Sequence, residues 1–367
     1  MCDLHGINAD LPMKNLPGAA QVAPLCAASL IALAGCAAHT LAPSPVSALA
    51  KPSILKGADP SVIRDGSMYY AVRSGGNHIK LRAATSLSAL GDAPDKKIWG
   101  NKPHVWAPEI IKADGLYYVY FAAGEGLDKR MFVISSDQPD QGYSAPKQMN
   151  LPDDKWAIDG LPLRYKGQWW FVWSGWASDE KLEQNLYIAR MSNPLTVTGS
   201  RQLISQPREG WERSVGNPYI NEGPQPITDP DGQLHIVYSA NGSWSSDYCL
   251  ADLRLRTGGD PANERDWYKS GGCLFGAKQK LMAPGVKPVQ GLKGIGHHGF
   301  ALPDGDINAS PAVGTSTAFV YHGVPANLPM NWANRFWYSG SMTWQAGVRY
   351  CRTENDCNTG WSLKFHE

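Results

Sequence analysis

The chain has 367 residues, enough for one large domain or two of ordinary size, with a net charge of +1 and 18% charged residues. No basic stripe runs along it, which argues against nucleic acid as a partner. With 38 glycines, 27 prolines, 14 tryptophans and little helical periodicity, it reads as an all-β protein that handles something neutral and flat-faced, such as a sugar.

The first element is a targeting segment. Met13-Lys14 offers a start for the apolar run AAQVAPLCAASLIALAG, which is too short for a comfortable membrane span and reads as an export signal over residues 1–36. Its end, LAGC at 33–36, resembles the bacterial lipobox, in which the cysteine is lipidated after cleavage. Ala37 in place of an aspartate implies outer-membrane sorting in a Gram-negative cell. Residues 37–55, rich in Ala, Pro and Ser, read as a flexible tether, and residues 56–367 as the folded domain. Cys2 and Cys26 leave with the signal and Cys36 carries lipid, so Cys249, Cys273, Cys351 and Cys357 remain. An even number in an oxidising compartment suggests two disulfides, and proximity favours Cys249–Cys273 and Cys351–Cys357 without fixing the connectivity. No His/Cys spacing supports a zinc site.

A repeat without sequence identity follows. Asp65-Gly66, Asp114-Gly115, Lys166-Gly167 and Asp231-Gly232 each precede an aromatic, β-branched strand, and Asp304-Gly305 does so after a longer loop. A short apolar run precedes each turn, so every unit holds strand, turn, strand. Five such units in roughly 310 residues leave around 60 per unit, enough for a four-stranded blade and pointing to a five-bladed β-propeller. The competing β-sandwich places its turns closer together.

Ionisable residues open the inner strand of each unit: Asp59 in GADP, Glu109 in WAPE, Asp159 in IDG, Glu222 in NEG, and His297-His298 in GHHG. They are expected to share one structural address and to converge on the propeller axis. Pro60 is expected to hold Asp59 extended. The aspartates of the DG turns serve the backbone and carry no chemistry. Converging carboxylates in a tryptophan-lined pocket suit glycoside hydrolysis: one stays protonated for the leaving oxygen, another stays ionised to activate water, and a third can raise the acid's pKa.

The segments GADPSVIRDGSMYY, WAPEIIKADGLYYVYFAA, IDGLPLRYKGQWWFVWSG, NEGPQPI and GIGHHGF occur in an order that resembles glycoside hydrolase family 43, five-bladed propellers acting on arabinose- and xylose-containing polysaccharides. The resemblance spans about residues 56–325 and implies inversion of configuration. Asp59 would be the general base, Glu222 the general acid, and Asp159 the residue tuning the acid. It also implies an axial histidine, His297, near a possible Ca2+ or water in the central channel, and no required cofactor. The family commonly shows GPGHNSF here, so Ile295, His298 and Gly299 depart from the pattern, and a calcium would want oxygen ligands, with the histidine behind a water. His298 is either a second pocket residue or an outward-facing strand residue. Glu109 looks structural. Trp106 is a sugar platform or core, and Trp173, Trp176 and Trp244 are weaker substrate-binding candidates of the same kind.

QNLYIARMSNP and SANGSWSSDYCL look like the arabinofuranosidase branch, and there is no room for the extra β-sandwich of many family β-xylosidases. The resemblance thus implies an exo-acting α-L-arabinofuranosidase on arabinose- or xylose-containing plant polysaccharide. A β-xylosidase, an endo-arabinanase and a non-catalytic sugar-binding lipoprotein are the alternatives. The protein is expected to be an exported monomer that meets a membrane only through its lipid anchor.

Overall fold

A computed structural model describes residues 53–179, 183–309 and 312–367. The export segment, its Cys36 and most of the tether lie outside the described residues.

The described chain forms five antiparallel sheets in sequence order, the blades of a β-propeller. Blade one holds Ser61–Asp65, Met68–Ser74, His78–Ala84 and Lys96–Gly100. Blade two holds Trp106–Ala113, Leu116–Ala123, Arg130–Ser136 and Lys147–Gln148. Blade three is built on Ala157–Tyr165, Gln168–Trp176 and Gln184–Asn193. Blade four is built on Asn221–Thr228, Leu234–Ala240 and Cys249–Leu255. Blade five holds Leu292–Phe300, Thr317–Pro325, the long strand Phe336–Thr353 and its partner Asp356–His366.

Period-two strands bury both faces because each blade is sandwiched between two others. The apolar residues accordingly form five clusters, one for each junction between neighbouring blades. The cluster of Leu55, Val62, Ala71, Val320 and Trp337 joins blade five to blade one. The ring is also closed through hydrogen bonds: Leu55 and Lys56 pair with Trp337 and Phe336 of the last blade. Leu55, expected in the tether, is therefore propeller strand, and the ring has one fewer open edge.

The five inner strands meet around one channel, lined by Ser61–Ile63, Glu109–Ile111, Leu161–Pro162, Gln225–Pro226 and Gly299–Phe300. The Asp304-Gly305 turn plugs one end rather than forming a simple hairpin. The Asp304 amide donates to the Arg64 carbonyl (2.7 Å) and its own carbonyl accepts from Lys112 (2.7 Å). Both expected disulfides are formed, Cys249–Cys273 within blade four and Cys351–Cys357 in the terminal hairpin of blade five.

Candidate active site

The head of every inner strand carries one residue in the left-handed region: Asp59 (φ 50°), Ala107 (37°), Asp159 (54°), Gly223 (57°) and His297 (40°). In blades two to five an extra residue enters the ladder there, between Trp106 and Glu109, Ile158 and Leu161, Glu222 and Gln225, and Gly296 and His298. Such a bulge bends the strand and re-aims its side chains. The next residue is Pro60, Pro108, Gly160, Pro224 or His298, and a proline at a bulge forfeits no ladder bond.

This geometry corrects two expectations. Asp59 is not extended before Pro60: it takes the left-handed conformation that recurs at the head of every inner strand. The ionisable groups also do not share one address. Asp59, Asp159 and His297 occupy the left-handed position, Glu222 comes one residue earlier, and Glu109 two residues later. Gly223 fills the address in blade four because a Cβ at φ +57° would lie 3.3 Å from His297 Nδ1 and 3.5 Å from Ser239 Oγ.

The side chains nevertheless converge. His297 lies between two carboxylates, with Nδ1 3.4 Å from Asp59 Oδ1 and Nε2 3.4 Å from Glu109 Oε1. Its amide donates to Ser239 Oγ (2.8 Å). The Gly223 amide donates to Asp159 Oδ2 (2.9 Å), which ties blade three to the residue following Glu222. Tyr248 donates its hydroxyl to Glu222 Oε1 (2.8 Å). A Cβ on Gly296 would meet the Tyr248 ring at 2.1 Å, so glycine there lets the ring lie across the strand and reach Glu222. Of the three carboxylates Asp59 is the most open, with a side chain 30% exposed, whereas Asp159 and Glu222 are buried.

The electrostatics separate the three acids. Burial favours the protonated form of Asp59, but the charges of His297 and Arg335 and the contact with His322 outweigh it and hold this carboxyl well below the usual range. Burial raises Asp159, and the nearby charges of Glu222 and Asp59 add to the rise. Burial likewise raises Glu222, against the Tyr248 hydrogen bond and the His297 charge. Two raised carboxyls side by side with one depressed carboxyl give a site that holds a proton on one flank and a bare carboxylate on the other. For His297, burial opposes the charge, yet Asp59, Asp159 and Glu109 push its pKa up to about 10.

Both ring nitrogens of His297 face carboxylates at 3.4 Å, so a calcium in the channel would take oxygen ligands and meet the histidine only through a water. The histidine itself supplies the positive charge between Asp59 and Glu109. Among the described residues no group of three or more metal-ligating side chains is assembled.

Arg335, His322 and Tyr248 were not found by sequence reading. Arg335 is buried beside Asp59 and Glu222, and its Nε and Nη1 find no hydrogen-bond partner among the described residues. His322 takes the Asp59 amide on Nδ1 (3.1 Å), and burial and Arg335 lower its pKa to about 3, keeping it neutral. These three lie on second or third strands or adjoining loops, where no motif marks them.

Two substrate-binding candidates are corrected. Trp173 is 2% exposed, packed between Phe171 and Tyr187 in the core joining blades two and three, so it cannot face a ligand. His298 is fully buried, set edge-on against Phe300. Trp106, by contrast, is 36% exposed and sits one residue before left-handed Ala107, the position Glu222 holds in blade four. Lys129 braces it from beneath, with Nζ 3.5 Å from the ring centroid. Trp244 is exposed, while Trp176 stacks on Trp156 at 4.4 Å.

The sequence profile of Glycosyl hydrolases family 43 matches residues 52–311, the stretch that runs from blade one to the plug. The chain belongs to that family. It is 32% identical to an extracellular exo-α-(1→5)-L-arabinofuranosidase of Streptomyces avermitilis over 84% of this chain and 63% of that protein, so it spans under two thirds of that relative's length. It is 27% identical to an enzyme of the same description from Streptomyces chartreusis, over 81% of this chain and 88% of that one. The crystal structure of an α-L-arabinofuranosidase from Lactobacillus brevis superposes with a TM-score of 0.67 at 24% identity, covering 80% of this chain and 92% of that chain, a likeness of fold.

Proposed function

We propose that this family 43 enzyme is an exo-acting α-L-arabinofuranosidase that removes terminal arabinofuranose from arabinan or arabinoxylan with inversion. One observation carries the reading: a depressed, half-open Asp59 faces a raised, buried pair of Glu222 and Asp159 across the cation His297. The extracellular arabinofuranosidases among its relatives support the choice of sugar and an exported protein.

In this mechanism Glu222 donates its proton to the glycosidic oxygen as the bond to the anomeric carbon breaks. Asp59 takes a proton from water, whose oxygen attacks that carbon from the opposite face, and the alcohol and an inverted arabinose leave. Asp59 then holds a proton from the water while Glu222, whose proton left on the alcohol, is ionised, and exchange with solvent restores both. Asp159, through the Gly223 amide, fixes the turn that presents Glu222, while burial and the charge of Asp59 raise the Glu222 carboxyl. His297 keeps Asp59 ionised. No step calls for a cofactor.

The propeller over residues 55–367, an export segment over 1–36 and lipidation at Cys36 complete the proposal, with the protein acting as a monomer held at the outer membrane. NMR of the first-formed anomer, with a panel of aryl arabinofuranosides and xylosides, tests the chemistry. Retention, or a preference for xylosides, overturns it. Membrane release of a Cys36→Ser variant tests the anchor.

A further inference from the structure

We infer that Trp332, with Trp244 on the adjoining loop, forms a stacking subsite for the sugar on the leaving-group side of the scissile bond. The inference deepens the arabinofuranosidase reading and rests on it.

Trp332 is 60% exposed, the most open aromatic among the large apolar residues on the described surface, and it opens the short turn Trp332–Asn334 just before Arg335. One face of its indole is occupied, because the Arg335 guanidinium carbon lies 3.7 Å from the ring centroid. The other face is open. A cation beneath the ring fixes its orientation and leaves a flat, rigid platform.

Arg335 links that platform to the carboxylates. Its carbonyl accepts the Gly57 amide (3.0 Å), two residues before Asp59, and the adjoining Trp337 donates Nε1 to the Ala58 carbonyl (2.9 Å). Its guanidinium donates through Nη2 to the Ser243 carbonyl in blade four. Trp332 therefore stands one side-chain layer outside the acids.

Ser243 and Trp244 follow the strand Leu234–Ala240, whose Ser239 pairs with Glu222. Trp244 is 43% exposed there. The two loops touch at Gly294, where an added Cβ would lie 2.3 Å from Met330 Cε and 3.0 Å from the Ser245 carbonyl. The loops that carry the two indoles thus meet between blades four and five, and that of Trp244 continues the strand whose Ser239 pairs with Glu222. The glycosidic oxygen must come to Glu222 for its proton, so the sugar attached to that oxygen lies toward this junction. A pentose offers C–H groups to an indole face and hydroxyls to water, which suits a neutral arabinose unit rather than a charged one.

The test compares Trp332→Ala and Trp332→Leu with wild type on α-1,5-arabinotriose and on α-L-arabinofuranosyl fluoride, which has no leaving sugar. Both variants are expected to raise KM for arabinotriose about tenfold. kcat/KM on the fluoride should not change, and Trp332→Phe should restore most of the loss. Unchanged kinetics on arabinotriose overturns the inference. A parallel fall on both substrates also overturns it, because Trp332 would then act by holding Arg335. If wild type leaves arabinotriose intact but cuts xylotriose, the arabinofuranosidase reading fails, and the same variants on xylotriose decide the platform.

Discussion

Two buried histidines in this molecule are each clamped between two carboxylates. At the axis, His297 stands 3.4 Å from Asp59 and 3.4 Å from Glu109. In blade four, His235 stands 2.9 Å from Asp252 and 3.4 Å from Asp229. The blade-four clamp is sealed: His235 and Asp252 have no exposed side-chain surface and Asp229 only 3%. Tyr350 of the terminal hairpin donates to Asp252 (3.0 Å), the Trp344 ring packs at 5.0 Å, and Asp229 caps its own turn through the Asp231 and Gln233 amides. Neighbouring Arg254 is spent on the hairpin, donating to Asn358 and to the Val348 and Trp361 carbonyls. The axial clamp differs in two respects. Asp59 opens to solvent, and two raised carboxyls stand next to it. The same constellation is a fastener where both acids are sealed from solvent and a reaction centre where one is left open and one proton is held in reserve.

The largest break in that comparison comes at Glu222. Glu222→Gln removes the proton donor but keeps the Tyr248 contact, so turnover on an aryl arabinofuranoside should fall about a thousandfold with an unchanged melting temperature. Retained turnover would remove Glu222 from the acid's role. Next in size is His297→Gln. Burial and the other acids would then raise the Asp59 carboxyl, and the acid limb of the kcat/KM profile should move to higher pH with a loss of about ten- to a hundredfold. An unmoved limb would show that His297 does not keep Asp59 ionised.

The fold was legible because the propeller repeats its turn chemistry: Asp65-Gly66, Asp114-Gly115 and Lys166-Gly167 each announce a strand. The family's acids were legible because they sit at the heads of inner strands beside Pro and Gly. The conformational repeat beneath them was not. Asp59, Ala107, Asp159, Gly223 and His297 share a backbone state but no side-chain type, so aligning charges put Glu222 one residue out. Trp173 and Trp106 look alike in sequence, and only the blade junction buries one and exposes the other. Arg335, His322 and Tyr248 reach the acids through contacts separated by tens to hundreds of residues, for which a single chain carries no local signal.

The sealed clamp should answer in stability rather than rate. Asp252 and Asp229 raise the His235 pKa above its ordinary value despite full burial. A raised folded pKa stabilises the protein fully below the unfolded value near 6.5, and that contribution is lost as pH climbs through the folded value. His235→Gln should cost about 3 kcal/mol at pH 6, leave kcat at 25 °C unchanged, and abolish the alkaline decline in melting temperature expected of wild type. A variant with the wild-type pH slope would take His235 out of the linkage.

The smallest effects, and the sharpest contrast, come from removing one hydroxyl at each clamp. Tyr350→Phe deletes the donor to Asp252 and its contact with Ser362 (2.6 Å), a loss of about 1–2 kcal/mol with no change in the pH–rate profile. Tyr248→Phe deletes the donor to Glu222, whose bond favours the ionised acid, so Glu222 should keep its proton to higher pH and the alkaline limb should move up. If Tyr350→Phe moved that limb, or Tyr248→Phe left it in place, the division between fastener and reaction centre would not follow from which carboxylate is left open.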